Sequence, residues 1–387
     1  MQMSKLIPIV FIIILLLQAC LPTMQIEKSG IINTRGIDLL EESENSMIET
    51  TVIPYLFDPN AQDITSILVG KGHTIKEARD EASKQSSYVL TPGQIRLELY
   101  GKEAAEKGIL PYLNTLIRDA RVSETMQLAV TNQTAKEVLM SEQSSITINT
   151  AQYLQDLILK EIKRDSLPSS SLHDFTREVE HVGLDPVLPL IDVVENRPTL
   201  VGAAVFHRDE YVQQITLSEA FLINLLRKRV KDTPLDAYVP LDNYKDKIAY
   251  KEDEGHETFG DEEYIYVFLS LLKGKGKLKL VDEENLHYKA DIEMKVELLE
   301  TSIPMDIKTE ETSKRLEKDL NKHYEKQYEQ LFSKLQEAKS DAFGLGRVYS
   351  GTRKGSKTTI EQWQEKYPNA TIEFNIDITI RNYGTID

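Results

Sequence analysis

The stretch His287–Leu299, HYKADIEMKVELL, alternates without a slip. Tyr288, Ala290, Ile292, Met294, Val296 and Leu298 point one way, and Lys289, Asp291, Glu293, Lys295 and Glu297 the other. A period of two held over this length predicts a half-buried antiparallel strand, one face on a core and one in water. Downstream the period changes. Across Lys308–Lys339, Leu316, Leu320, Tyr324, Tyr328, Leu331, Leu335 and Ala338 step by three or four, which predicts a long helix with one apolar stripe laid on a sheet. Ala342–Gly346 ends it. Ile360, Trp363 and Tyr367 mark a short helix stopped at Pro368, and Thr371–Arg381 alternates again through Ile372, Phe374, Ile376, Ile378 and Ile380. Strand, helix and strand of this kind make a sheet with helices on it.

Upstream, the two periods keep exchanging. Ile48–Tyr55 and Ile64–Val69 read as strands around a turn at Asp58-Pro59-Asn60. Thr74-Ile75-Lys76-Glu77 is a capping box that opens a helix. Gln94–Tyr100 and Glu124–Val130 read as strands. Helices are expected over Lys102–Lys107, after Pro111, over Thr134–Met140 and within Ile146–Ile162. Leu167–Ser171 reads as a linker and Glu195–Pro198 as a break, beyond which Thr199–Phe206 is a strand. Thr216-Leu217-Ser218-Glu219 caps a helix with the face Phe221, Leu222, Leu225 and Leu226. Tyr264–Leu271 reads as a buried strand, closed by a turn at Gly274-Lys275-Gly276-Lys277. The mixture has no regular βαβ rhythm and no repeat of fixed period. The expected class is α+β: several domains, with mixed or antiparallel sheets each packed with helices.

The chain has 387 residues, 46 Lys+Arg against 62 Asp+Glu, and 41% apolar residues. That apolar share supports a packed core, and the length suggests two or three domains at about 150 residues each. An acidic chain of pI about 5.1 argues against a nucleic-acid partner.

Cysteine occurs once, at Cys20. Lys5 precedes the apolar run Leu6–Leu17, whose twelve residues span about 18 Å as a helix, short of a bilayer core of about 30 Å. This is the h-region of a signal peptide. Leu17-Gln18-Ala19-Cys20 then has the form of a bacterial lipobox, with Gln18 where a small residue is commoner. Cys20 is thus the expected lipidation site, bearing diacylglycerol as the first residue of the mature chain. Removing residues 1–19 takes away only Lys5 among charged residues, so the mature charge is 45 − 62 = −17. Two acyl chains hold a protein on a membrane, and a body this acidic should stand off an anionic bilayer. No later segment is apolar enough to cross: Ile265–Leu272 and Leu188–Val194 are strand-sized. The expected parts are a signal peptide (1–19), a lipidated tether (20–30), an N-terminal α+β domain (31–195) and a C-terminal α+β region (199–387). The last divides into lobes near 199–305 and 306–387.

The sequence offers no catalytic constellation. It has no His-Glu-x-x-His, no Gly-x-Ser-x-Gly and no Walker loop, and Gly70-Lys71-Gly72 lacks the rest of a phosphate loop. His207-Arg208-Asp209-Glu210 follows a strand and reads as a hairpin turn rather than an acid/base pair. Glu252–Glu263 lacks EF-hand spacing and reads as a charged loop. Neither a metal nor a cofactor is expected, and no catalytic, cofactor-binding or metal-binding residue is assigned.

Several stretches together resemble the Ger(x)C family, the lipoprotein C subunits of spore germinant receptors. Beyond the lipobox, Gly93-Gln94-Ile95-Arg96 with Tyr100-Gly101-Lys102-Glu103-Ala104-Ala105-Glu106-Lys107-Gly108-Ile109 resembles the family's strand and "G-(x)-E-x-A-x-x-G-I" helix. Tyr112–Asp119 is similar to its "L-D-x-L-x-R-D" segment, and Leu200–Phe206 to its "G-x-A-V-F" strand. Asp341-Ala342-Phe343-Gly344-Leu345-Gly346 after the long helix, then Trp363 and the closing strand with Arg381 and Gly384, complete the order. The resemblance implies three α+β domains and a non-enzymatic subunit that works with an A subunit and a membrane-spanning B subunit in the spore inner membrane. Only Cys20 carries over as a functional residue. A solute-binding lipoprotein of a transporter is the alternative, and it would need two parallel-sheet lobes joined by hinge strands.

Overall fold

The structure is a computed structural model that describes residues 29–42, 45–56, 66–141, 150–248, 262–307, 309–352 and 358–383. Strands β1 (Ser29–Glu42) and β2 (Asn45–Leu56) form an antiparallel hairpin, extended by β3 (Leu68–Gly72) on β2. Helix α1 (Ile75–Ser83), capped by Thr74, packs back on β3. On its other edge β1 pairs in parallel with β4 (Val89–Thr91) at its start and with β5 (Leu97–Tyr100) farther along. Parallel pairing continues to β6 (Gln127–Val130) and β7 (Val187–Val194), and β8 (Arg197–His207) and β9 (Glu210–Ile215) finish the sheet antiparallel. The order is β3-β2-β1-β5-β6-β7-β8-β9, with β4 beside β1.

Parallel neighbours need crossovers. Helices α2 (Lys102–Glu106) and α3 (Leu110–Ile117) separate β5 from β6; α4 (Ala135–Met140), α5 (Thr150–Lys163) and α6 (Leu172–Glu180) separate β6 from β7. The central strands β5 and β6 are therefore buried at every residue.

The second sheet has the order β10 (Thr233–Pro240), β11 (Tyr264–Asp282), β12 (His287–Thr301) and β13 (Thr371–Tyr383). The opening stretch is β12, half-buried as its alternation predicts, but antiparallel only to β11; β13 runs parallel to it. Helix α7 (Leu217–Arg227) touches β8 of the first sheet and β11 and β12 of the second. It is buried over every residue from Ala220 to Leu226, more than the one face its pattern suggested. The long helix α8 (Glu310–Glu337) lays its stripe on β10 and β13 and is core. Helices α9 (Leu345–Thr352) and α10 (Ile360–Lys366) complete this half.

Three sequence readings change. Gly274 and Gly276 do not turn the chain, because β11 runs straight through them. A Cβ on Gly274 would sit 2.7 Å from Leu225 Cδ1, and one on Gly276 2.8 Å from Leu226 Cα, so these glycines admit α7 against the strand. Leu167–Ser171 is not a linker: Ser170 Oγ donates to Gln127 Oε1 at 2.9 Å, Leu128 N–H donates to Ser170 O at 2.8 Å, and Ser171 caps α6. The break at Glu195–Pro198 contains a tight hairpin turn, with Glu195 and Asn196 at φ 50° and 60°. The first sheet thus extends past residue 199 to Ile215, and the second takes strands from both sides of residue 305. Ser29 and Gly30 already belong to β1, whereas Asp58-Pro59-Asn60 and 249–261 lie outside the described residues.

Candidate functional site

Where the two halves meet, distant parts of the chain close on two neighbouring carboxylates, one buried and one nearly so. The β8–β9 hairpin turns at Arg208 and Asp209, with His207 paired to Glu210. On one side of its tip, Ile109 N–H donates to Asp209 O at 3.0 Å and Leu110 N–H to Asp209 Oδ2 at 3.2 Å. Gly108 makes that corner at φ 98°, a conformation glycine reaches at no steric cost. On the other side, Ser340 Oγ donates to Phe206 O at 2.7 Å, and His207 Nδ1 bonds Lys339 O at 2.7 Å. A carbonyl only accepts, so the proton lies on Nδ1, and Nε2 can accept from Gln364 Nε2 at 3.1 Å.

Asp341 sits at the centre, 2% exposed. Its Oδ1 accepts the N–H groups of Gly344 and Leu345 at 2.9 and 2.8 Å. Its Oδ2 accepts Gly346 N–H at 2.8 Å and Trp363 Nε1–H at 2.9 Å. The stretch Asp341–Gly346 is thus a loop folded over its own carboxylate, which caps the start of α9. Asp185 is its partner: Oδ1 accepts Arg208 N–H at 2.8 Å and Oδ2 accepts Asp341 N–H at 2.7 Å. Burial pushes the Asp341 carboxyl up to about 8, and the neighbouring Asp185 adds to this while the backbone N–H groups oppose it. Burial also raises Asp185.

Arg227, at the end of α7, ties the pair to the first half. Its Nε donates to Ala342 O at 2.7 Å, its Nη2 to Asp185 O at 2.6 Å, and its Nη1 lies 3.3 Å from Glu178 Oε2 on α6. Gly183 and Gly346 touch backbone to backbone: a Cβ on Gly183, at φ 67°, would fall 2.2 Å from Gly346 Cα. The space left between His207, Asp185, Trp363 and Tyr367 is about 20 Å³, the size of one water. This arrangement fastens the two halves to each other through one buried, fully hydrogen-bonded side chain. A roomier cavity of about 410 Å³ lies between the start of α7, β10 and α8, walled by Phe221, Tyr238 and Tyr324. His323 faces it with its pKa brought down to about 4 by burial.

Of the residues singled out in the sequence, Cys20 lies outside the described residues, as does all of Glu252–Glu263 except Glu262 and Glu263. His207-Arg208-Asp209-Glu210 is the hairpin tip just described. Among the described residues no group of three His, Cys, Asp or Glu side chains could hold a metal, and no helix is long and apolar enough to cross a membrane.

The sequence matches two family models end to end. "Spore germination protein N-terminal domain" covers residues 22–193, and "Spore germination B3/ GerAC like, C-terminal" covers 201–384. The chain belongs to the Ger(x)C family. It is 23% identical over 388 residues to the spore germination protein GerQC of Bacillus cereus, covering 98% of this chain and 99% of that protein. Its fold is similar to the crystal structure of the GerBC protein, with a TM-score of 0.52 and 16% identity over 90% of this chain and 97% of that one.

Three of the stretches that resemble the family meet at this junction. Gly108-Ile109 packs on Asp209, the "G-x-A-V-F"-like strand ends at Phe206 under Ser340, and Trp363 closes on Asp341. Sequence reading missed Asp185 and Arg227, which are 42 residues apart and unremarkable in an acidic, charged chain. The one local signal was an aspartate heading a glycine-containing stretch, Asp341-Ala342-Phe343-Gly344-Leu345-Gly346.

Proposed function

We propose that this chain is the lipid-anchored C subunit of a nutrient germinant receptor in the spore inner membrane. It is required for nutrient-triggered germination and works by assembly with the A and B subunits rather than by catalysis. The observation that carries this reading is the pair of family matches, which together span 22–384 and begin two residues after Cys20. Cys20 is the chain's single cysteine and falls where a lipobox requires one. In this reading Cys20 bears the diacylglyceryl group, and the body sits on the outer face of the membrane. Nine backbone steps separate Cys20 from Ser29, so the body lies within about 30 Å of the anchor even at full extension. The locked junction around Asp341 supports a scaffold that presents fixed surfaces to neighbouring subunits. The second sheet has a single parallel pair, unlike the parallel-sheet second lobe expected of a solute-binding lipoprotein.

The test is Cys20→Ala in the sporulating host. The protein is expected to leave the membrane fraction and the receptor's nutrient response to be weakened or lost. A soluble variant with normal germination would overturn the anchoring claim.

A further inference from the structure

The mature chain carries a net charge of −17, yet one concave surface of the first half is cationic. A pocket of about 500 Å³ lies between α1 and the turn after α3. Lys76, Arg79, Arg118 and Arg121 line it, with Asp119 as the one carboxylate on its wall. Asp119 is engaged by Arg121, through Nε to Oδ1 at 2.9 Å and Nη2 to Oδ2 at 2.7 Å. The side chains of Lys76, Arg79 and Arg118 make no hydrogen bond or ion pair with other described residues. Arg79 is half-buried, and burial together with the nearby Arg35 and Arg121 lowers its pKa, only partly offset by Asp80 and Asp119. Cations gathered in a hollow without matching carboxylates suit an anion, and guanidinium groups suit phosphate in particular.

Two more observations say which anion. Two large apolar side chains of this half are exposed: Ile117, adjacent to Arg118, is 51% exposed, and Val89, on β4 four residues before Gly93, is 62% exposed. A basic hollow with exposed apolar side chains in the same half has the composition of a surface that rests at the headgroup level of a bilayer. The second observation is position. Val89 pairs with Ser29 and Thr91 with Ile31, so β4 lies against the first residues of β1. Arg121 lies next to Gly93, with its Cβ 3.9 Å from where a Cβ of Gly93 would be. The pocket therefore lies at the edge where the body joins the segment leading back to Cys20.

We propose that this pocket docks the body onto an anionic lipid surface, Lys76, Arg79 and Arg118 taking phospholipid phosphates while Ile117 and Val89 enter the headgroup layer. The overall acidity that should hold the body off a bilayer is reversed locally, so this orientation is attractive. The proposal rests on the membrane reading above but not on lipidation, and its test removes the lipid.

The mature-length chain with Cys20→Ala is mixed with vesicles of phosphatidylcholine containing about one-third phosphatidylglycerol, and binding is read by co-sedimentation. Binding is expected on these vesicles, absent on pure phosphatidylcholine, and lost at about 1 M salt, where the screening length falls to about 3 Å. Lys76→Gln with Arg118→Gln, both at exposed positions, should weaken it about twenty-five- to thirty-fold, at about five-fold per cation near the surface. Lys273→Gln with Lys295→Gln, an exposed pair on the second sheet, should leave it unchanged. Thermal melts confirm that each variant is folded. Equal binding to neutral vesicles, an effect no larger than that of the control pair, or no binding by the wild-type body would overturn the proposal. So would competition by millimolar inorganic phosphate with no vesicle binding, since the pocket would then be a site for a free anion.

Discussion

Trp363 is the only tryptophan in the chain, and its indole N–H donates to Asp341. Emission excited where the 17 tyrosines scarcely absorb therefore reports on the junction, and Asp341→Ala can be followed by it through urea unfolding. The substitution leaves four buried donors without an acceptor: the N–H groups of Gly344, Leu345 and Gly346 and the indole N–H. At about 1.5 kcal/mol each, that costs about 6 kcal/mol. The substitution also removes the penalty of holding a carboxyl whose pKa rises to about 8 from 3.8. A group raised on folding stabilises the protein fully below its unfolded value, and that stability is lost as pH rises through the folded value. At pH 6 the penalty is about 3 kcal/mol, which leaves a net loss of about 3 kcal/mol for the variant. By pH 9 the penalty reaches about 6 kcal/mol, and wild type and variant should converge. The expected result is a gap that closes with rising pH, because the wild type weakens toward alkaline pH more than the variant does. A gap that is constant or widens between pH 6 and 9, or a variant as stable as wild type at pH 6, would refute this account of the junction.

Gly346→Ala places a Cβ 2.5 Å from the Trp363 ring and so should cost about 1–3 kcal/mol in urea unfolding, with a shift of the emission maximum; an unshifted, equally stable variant would mean that the two elements do not touch as described. Deeper in the first sheet, Arg35 Nη2 lies 2.7 Å from Glu98 Oε2, both almost fully buried, and Tyr100 OH donates to Glu98 Oε1 at 2.7 Å. Arg35→Met strands Glu98 and should destabilise by about 3–5 kcal/mol, whereas adding Glu98→Gln should recover part of that loss; full additivity in the double-mutant cycle would contradict the pairing.

Much of the fold is legible because its periods are strong. The alternation of β12 and β13 and the stripe of α8 each follow from one face meeting a core, and Leu316–Leu335 lands on the second sheet as its spacing predicts. What the residues mislead on is local chemistry overruled by tertiary contact. Gly274-Lys275-Gly276-Lys277 looks like a turn, but its glycines serve the approach of α7. Leu167–Ser171 looks like a linker because Pro and Ser are common in loops, yet its serines bond β6 and cap α6. The junction is the least legible part. Asp185 and Asp341 lie 156 residues apart, and in a chain with 62 acidic residues only the folded arrangement distinguishes two of them. The cationic pocket is hidden for the same reason: Lys76 and Arg79 come from one helix, Arg118 and Arg121 from a turn beyond another.

The central claim is a role in nutrient-triggered germination, and the most direct test is deletion of the gene in a sporulating host. Spores lacking this gene are scored for loss of refractility against a panel of nutrients. The account predicts that sporulation is normal, that one nutrient response disappears, and that the wild-type gene restores it. Spores that answer every nutrient as the parent does would contradict it.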